Sequence, residues 1–289
     1  MISLWAIGFL GALAMVMGVQ AEGQIGVAKR VGERIQGLHE AWGGVARGVA
    51  ALKGWSDEHS HEPLPPVLEG EGFRVSAETG RVPLNAASAA VLAALVTQVG
   101  VPEGSTAEEI AAAIVDWRDP DDTVSPHGAE TSYYERLSPP YPCRNANFGS
   151  AEELLLVRGV DSTLLTKLRP YVTVRGATIN LNTAPAVVLQ AAGLSASAAE
   201  KLAAYTAGPD AKPGTKDDRQ FSSVAAAPSA AGLSPPETAT FSAASAWLTT
   251  TSTTYALRAE GPVPGRAAPR VIECVVDSTT WKVLEWHEE

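Results

Sequence analysis

Asp116, Asp119, Asp121, Asp122 and Glu130 crowd into the stretch VDWRDPDDTVSPHGAETSYY, which is broken by Pro120, Pro126 and Gly128. Carboxylate oxygens are hard ligands, and a turn-rich loop lets them converge into the irregular shell of about six to eight oxygens that calcium accepts. The spacing is not that of an EF-hand, so a solvated acidic loop without a metal stays open as the plainer reading. Asp210, Asp217 and Asp218 in GPDAKPGTKDD form a weaker candidate, read more simply as solvated turns. His59 and His61 lie in a proline-bearing polar stretch that reads as linker. Asp116 and Glu130 could be cast as an acid/base pair, but no serine, histidine and acid order, phosphate loop or zinc signature accompanies them. The chain is therefore expected not to be an enzyme.

The elements that must carry this loop begin with an uncharged run, MISLWAIGFLGALAMVMGV, in a chain of 289 residues. At about 1.5 Å rise per residue the run is nearly 30 Å long, enough to span a hydrocarbon core. Residues 1–21 are read as a transmembrane helix. A cleaved secretory signal would open with a basic region, which is missing. Lys29, Arg30 and Arg34 follow the run, and the positive-inside rule alone would keep the rest of the chain in the cytoplasm. Residues 22–55 continue as an amphipathic helix, with Ala28, Val31, Ile35, Leu38, Trp42, Val45, Val49 and Leu52 on one stripe. Gly37, Gly43, Gly44 and Gly48 weaken it by about 1 kcal/mol each against alanine, so tertiary packing must hold it. The stripe suits a helix laid on a sheet, with a coiled-coil seam as the alternative.

Residues 56–72 read as a proline-rich linker and 73–84 as a short strand pair turning at ETG. Two related segments follow at different places: VPLNAASAAVL at Val82 to Leu92, and INLNTAPAVVL at Ile179 to Leu189. Asn85, Ser150 and Asn182 stand where helix N-caps are expected, Ser150 with Glu153 as a capping box. Each helix runs into a glycine and an aliphatic, Gly100-Val101, Gly159-Val160 and Gly193-Leu194, and a second helix follows. One small helical unit is thus used three times, within an inserted α-helical domain spanning 85–239 whose acidic loop covers 116–135.

These units resemble helix-hairpin-helix modules, which bind nucleic acid through a turn with a second glycine. Pro102, Asp161 and Ser195 occupy that place, and the formal net charge of −10 opposes a phosphate backbone. A membrane-anchored hairpin module that binds DNA or a secreted substrate is kept as the alternative function, and no nucleic-acid partner is expected.

The chain ends with 240–289, read as antiparallel strands whose dry face the first helix would cover. Ala225 to Thr238 reads as a mobile connection. Cys143 and Cys274 are too few for a disulfide framework, and whether they pair is open.

In order, an apolar leading helix, GRVPLN, AIVDWRDPDD, GAETSYY, FGSAEELLLVRGV, LRPYVTV and INLNTAPAVVL resemble the K-type minor pseudopilins of type II secretion, the general secretion pathway protein K family. The resemblance implies an α+β, pilin-like fold: a long N-terminal helix packed on a C-terminal antiparallel sheet, with a large helical domain inserted. It implies a structural role at the tip of the secretion pseudopilus, helping to start or cap assembly for export of folded proteins. The implied location is the inner membrane, crossed once, with most of the chain in the periplasm. The implied partners are the I- and J-type minor pseudopilins, the major pseudopilin and, where a basic leader is present, prepilin peptidase. If Met1 is the mature start, Trp5 stands where most such proteins have glutamate, and lack of that glutamate is characteristic of the K type. Calcium is implied as the bound cofactor, with Asp119, Asp121, Asp122 and Glu130 as the ligands that carry over.

Overall fold

The structure, a computed structural model, describes residues 2–58, 64–65, 67–211, 217–266 and 268–288; in the leading helix, side chains are described at Met15, Gln24 and from Gly26 onward. Helix α1 runs Ile2–Glu58. Strands β1 (Val67–Gly70) and β2 (Phe73–Ala77) follow, then β3 (Val82–Pro83), helices α2 (Ala89–Val99), α3 (Ala107–Arg118), α4 (Thr131–Tyr134) and α5 (Ser162–Leu168), and β4 (Val172–Thr173). After these come β5 (Ile179–Asn180), α6 (Ala186–Ala191), α7 (Ala196–Thr206), α8 (Ala227–Ala230), α9 (Pro235–Ala244) and β6 (Leu248–Thr249). The chain closes with β7 (Thr254–Gly261), β8 (Arg270–Asp277) and β9 (Val283–Glu288).

A five-stranded antiparallel sheet in the order β1-β2-β7-β8-β9 joins the two ends of the chain. Val75, Leu257 and Cys274 share one face in register and, with Tyr255, Ala259, Ile272 and Val276, form a core with Ala41, Val45 and Leu52 of α1. The opposite face carries exposed ion pairs, Glu69 with Arg74 and Arg258 with Glu273, which contribute little to stability in water.

The contact between helix and sheet rotates the expected stripe. Val31 and Ile35 are 50% and 48% exposed, and Trp42, though it meets the Trp286 ring at 4.5 Å, is half exposed. The face against the sheet keeps Val45 and Leu52 of that stripe, with Leu38 and Val49 packed beside them, and adds Gly37, Ala41, Gly44 and Gly48. A methyl group on Gly44 would lie 2.5 Å from the Gly72 carbonyl oxygen, and one on Gly48 would lie 2.7 Å from Leu257. Small residues let the backbone approach the strands closely, and the packing gained there outweighs the helix-propensity loss that the glycines bring.

The membrane-spanning reading of 1–21 lies outside the residues whose side chains are described; among the described residues no helix is long and apolar enough to cross a membrane. His59 and His61 also lie outside the described residues. The linker reading of 56–72 gives way at both ends, since α1 continues to Glu58 and β1 begins at Val67. The hairpin pairs β1 with β2 across Glu71 and Gly72, not across ETG, which is a buried 3-10 turn leading out of the sheet.

The inserted domain is built twice on one plan. In the first lobe β3 pairs in parallel with β4, and Leu84 N–H donates to the Thr173 carbonyl at 2.7 Å. In the second, β5 pairs in parallel with β6, and Leu181 N–H donates to the Thr249 carbonyl at 2.8 Å. Helices α2 and α6 meet at the join, where Gln98 donates to Gln190.

Asn85 and Asn182 are not N-caps. Ser88 caps α2 and Pro185 precedes α6, which frees both asparagine side chains to hold distant backbone. Ala225 to Thr238 is likewise not a mobile connection. A 3-10 turn at Val224–Ala226, α8, Gly232 and α9 make a further hairpin there, and the Ser234–Glu237 capping box, with Pro235 and Pro236 at the first two helical positions, starts its second helix. The final antiparallel strands accordingly begin at Thr254, since 235–247 are helical.

Cys143 lies in the core of the inserted domain and Cys274 in that of the sheet, and both are free thiols.

Candidate metal centre

Helix α3 sets the first half of the site. Thr106 and Glu109 form a full capping box at its start, and Asp119 is its C-cap. Asp116 and Asp119, three positions apart, fall on one helical face. Asp116 is 0% exposed, although it is ionisable and sits beside Trp117 in the core.

The loop then turns back. Ser125 N–H donates to Asp116 Oδ2 at 3.2 Å, and Gly128 packs on the same carboxylate so tightly that any side chain there would collide with it. Glu130 heads the short helix α4 and is 1% exposed. Asp116, Asp119 and Glu130 each bring an oxygen within 4.8 Å of the others. Among the described residues, Asp116 Oδ1 and Asp119 Oδ1 are buried without a hydrogen-bond partner, and the buried oxygens of Glu130 have no N–H or O–H donor, only the weakly donating Cys143 thiol beside them.

That arrangement is costly without a cation. Burial, followed by the neighbouring Asp116 charge, pushes the Glu130 carboxyl up to about 7. Burial and the charges of Asp121 and Asp116 raise Asp119 as well. The Cys143 thiol, also raised by burial to about 12, sits 3.7 Å from the Asp116 backbone oxygen. Arg118, the adjacent cation, spends its guanidinium on the carbonyls of Leu84 and Ala87.

Of the four ligands that the family resemblance carries over, the structure brings together Asp119 and Glu130. Asp121 and Asp122 stand apart from that group. Asp121 accepts from Thr123 N–H at 2.8 Å in an exposed turn. Asp122 Oδ1 accepts from Asn145 Nδ2 at 2.9 Å and from Thr131 Oγ1 at 2.8 Å, and these bonds hold its carboxyl below the usual range. Both residues lie past the end of α3, where the chain has left the helical face that Asp116 and Asp119 share. The i, i+3 spacing on a helix is the sequence signal that singles out Asp116.

Asn145, in the left-handed region at φ 48°, is oriented by Asp122 so that its amide nitrogen is engaged, and its Oδ1 is buried without a partner. Asp210, Asp217 and Asp218 form no comparable group among the described residues. Buried hard oxygens converging on a tight loop are a donor set that fits a calcium ion.

A long helix laid on an antiparallel sheet, with a helical domain inserted between its strands, is the class of α+β fold the chain adopts. Residues 74–177 match the family model of type II secretion system (T2SS), protein K. The chain is 46% identical over 80 residues to type II secretion system protein K of Aeromonas hydrophila, covering 27% of this chain and 24% of that one. It is 42% identical over 84 residues to the protein K of Pectobacterium carotovorum subsp. carotovorum, covering 28% and 26%. With a putative protein K of Escherichia coli strain K12 it shares 37% over 97 residues, covering 32% and 29%. The chain thus aligns with about a quarter of the length of these relatives. Among solved structures, a chain of the GspK-GspI-GspJ complex from the enterotoxigenic E. coli type 2 secretion system matches with a TM-score of 0.60 and 18% identity, covering 93% of this chain and 99% of that one. The likeness to protein K thus lies in the sequence of 74–177, while the structural match extends the shared fold over 93% of the chain.

Proposed function

We propose that the protein is a non-catalytic minor pseudopilin of a type II secretion system, placed at the tip of the pseudopilus. The observation that carries this reading is the joint one: a sequence match over 74–177, and a shared fold covering 93% of the chain. Its partners are the I- and J-type minor pseudopilins and the major pseudopilin, in keeping with the complex in which the structural relative was solved. The apolar run at 1–21 anchors it in the inner membrane before assembly, with the remainder in the periplasm. The exposed Val27, Val31 and Ile35 continue that apolar surface toward neighbouring helices. The inserted lobes use their hairpins for packing: Asp161 and Ser195 cap α5 and α7, where a nucleic-acid-binding turn would keep a glycine.

Calcium stabilises the inserted domain in this reading. Asp116, Asp119 and Glu130 hold the ion, the unpartnered Asn145 amide oxygen offers a neutral donor, and the ion supplies the positive charge that two buried carboxylates and a half-buried one lack. Deleting the gene and measuring export tests the role. Loss of secretion together with co-purification of I- and J-type subunits supports it, and normal export without the protein overturns it. A thermal melt of the protein with calcium and with EDTA tests the metal separately.

A further inference from the structure

We propose that Arg158 is the positioning residue of the carboxylate site, and that through it metal occupancy is coupled to the hairpin formed by the 3-10 turn Ala151–Leu156 and α5. This rests on the calcium reading above.

The argument starts from what one side chain reaches. Arg158 Nη1 donates to the Gly128 carbonyl at 3.0 Å, two residues before Glu130. Its other terminal nitrogen meets Glu109 Oε1 at 3.5 Å, on the first turn of the helix that ends in Asp116 and Asp119. Its guanidinium lies 5.4 Å from the centre of the Tyr133 ring, and its backbone N–H donates to the Tyr134 hydroxyl at 3.3 Å, both on the helix headed by Glu130. Every segment that contributes a clustered carboxylate is therefore tied to residue 158. The planar fork of arginine suits this role, because it can hold a carbonyl and a carboxylate at once in fixed directions.

The duplicated plan separates a role in the site from a role in the fold. Gly159, at φ 82°, precedes the cap Asp161 in the first lobe as Gly232, at φ 66°, precedes the cap Ser234 in the second. The residue before each glycine is Arg158 in one lobe and Ala231 in the other. Glu109 stands three residues past the cap Thr106, and its counterpart three past the cap Ser195 is Ala198. The second lobe folds on the same pattern with two alanines, so the hairpin frame itself does not require the arginine–glutamate pair. The pair occurs in the lobe that gathers Asp116, Asp119 and Glu130, where like charges must be held together. Partners that orient the ligands of a metal typically change affinity by about 10- to 100-fold when removed.

The test is calcium titration by calorimetry on the detergent-solubilised full chain, wild type beside Arg158→Gln and Glu109→Gln, with melts in EDTA alongside. The glutamine at 109 keeps a capping-box residue, so α3 retains its start. The expected result is calcium binding weakened at least about 10-fold in Arg158→Gln and by a smaller factor in Glu109→Gln, with the melting midpoint in EDTA moved less than the midpoint in calcium. If Arg158→Gln does not fold, Glu109→Gln decides alone. Calcium affinity equal to wild type in the variants that fold, or a midpoint lowered equally with and without calcium, overturns the inference and leaves the metal reading standing. Absence of calcium binding in the wild type overturns both.

Discussion

Asn85 holds both backbone groups of Phe148, accepting from its N–H at 2.7 Å and donating to its carbonyl at 3.1 Å, while the same amide nitrogen also donates to Val174 at 2.8 Å. Asn182 repeats the arrangement on Phe221, at 2.7 and 3.3 Å, and on Thr250 at 3.0 Å. Two copies of one motif thus close two lobes by the same device, an asparagine that replaces a missing rung between strand and loop. A primary amide supplies an acceptor oxygen and two N–H donors on one planar group, which is what three backbone contacts at once require.

From this geometry Asn182→Asp is expected to be worse than its size change suggests. The retained oxygen still accepts from Phe221, but a second acceptor then faces two carbonyls inside the core. Chemical denaturation should give a loss of about 2 to 4 kcal/mol. A change below about 0.5 kcal/mol would remove the clamp from the account.

Glycines along α1 should sort by what lies opposite. Gly44→Ala places a methyl 2.5 Å from the Gly72 backbone oxygen, which cannot yield, so the helix must lift off the sheet. Gly32→Ala meets nothing within 4 Å and should raise stability by about 0.5 to 1 kcal/mol through helix propensity. Opposite shifts in the melting midpoint are the expected outcome; equal shifts would show that the close approach of helix and sheet is not what the glycines serve.

The carboxylates divide in the same way. Asp116→Asn and Glu130→Gln should abolish the rise in melting temperature on adding calcium, whereas Asp121→Asn should leave it intact, because Asp121 serves only a local turn with Thr123. Terbium luminescence gives an independent reading, and an unchanged signal in Glu130→Gln would contradict the assignment.

Acid should weaken the second lobe through Glu237. Lys201 first, then Ser197 and Ser234, hold its carboxyl down to about 2. A folded-state pKa below the ordinary value of a glutamate means stability that is present above about pH 4.3 and lost as pH falls toward 2. Carbon-detected NMR titration of Glu237 should place its midpoint near the lower value, and Glu237→Gln should flatten the acid limb of the stability curve. A midpoint close to that of a free glutamate sinks this prediction.

Much of this protein is legible without coordinates because local rules suffice for it. The long leading helix, the glycine-ended hairpins, the Ser150 capping box and the crowding of acids between Asp116 and Glu130 all follow from residue type and short-range spacing. What the sequence hides depends on partners far along the chain. Asn85 looks like a cap until Phe148 and Val174 are seen to claim it. The apolar stripe of α1 meets the sheet through Val45 and Leu52, yet Gly37, Gly44 and Gly48 share that face while Val31 and Ile35 stay exposed, because close backbone approach can be judged only when both surfaces exist. The choice of Asp116 over Asp121 and Asp122 is likewise made by the loop folding back at Gly128, which buries one carboxylate against another and leaves the rest to water. Sequence determined which groups were available for chemistry; the tertiary fold decided which of them lost their water, and burial without a partner is what makes an acidic loop a candidate site.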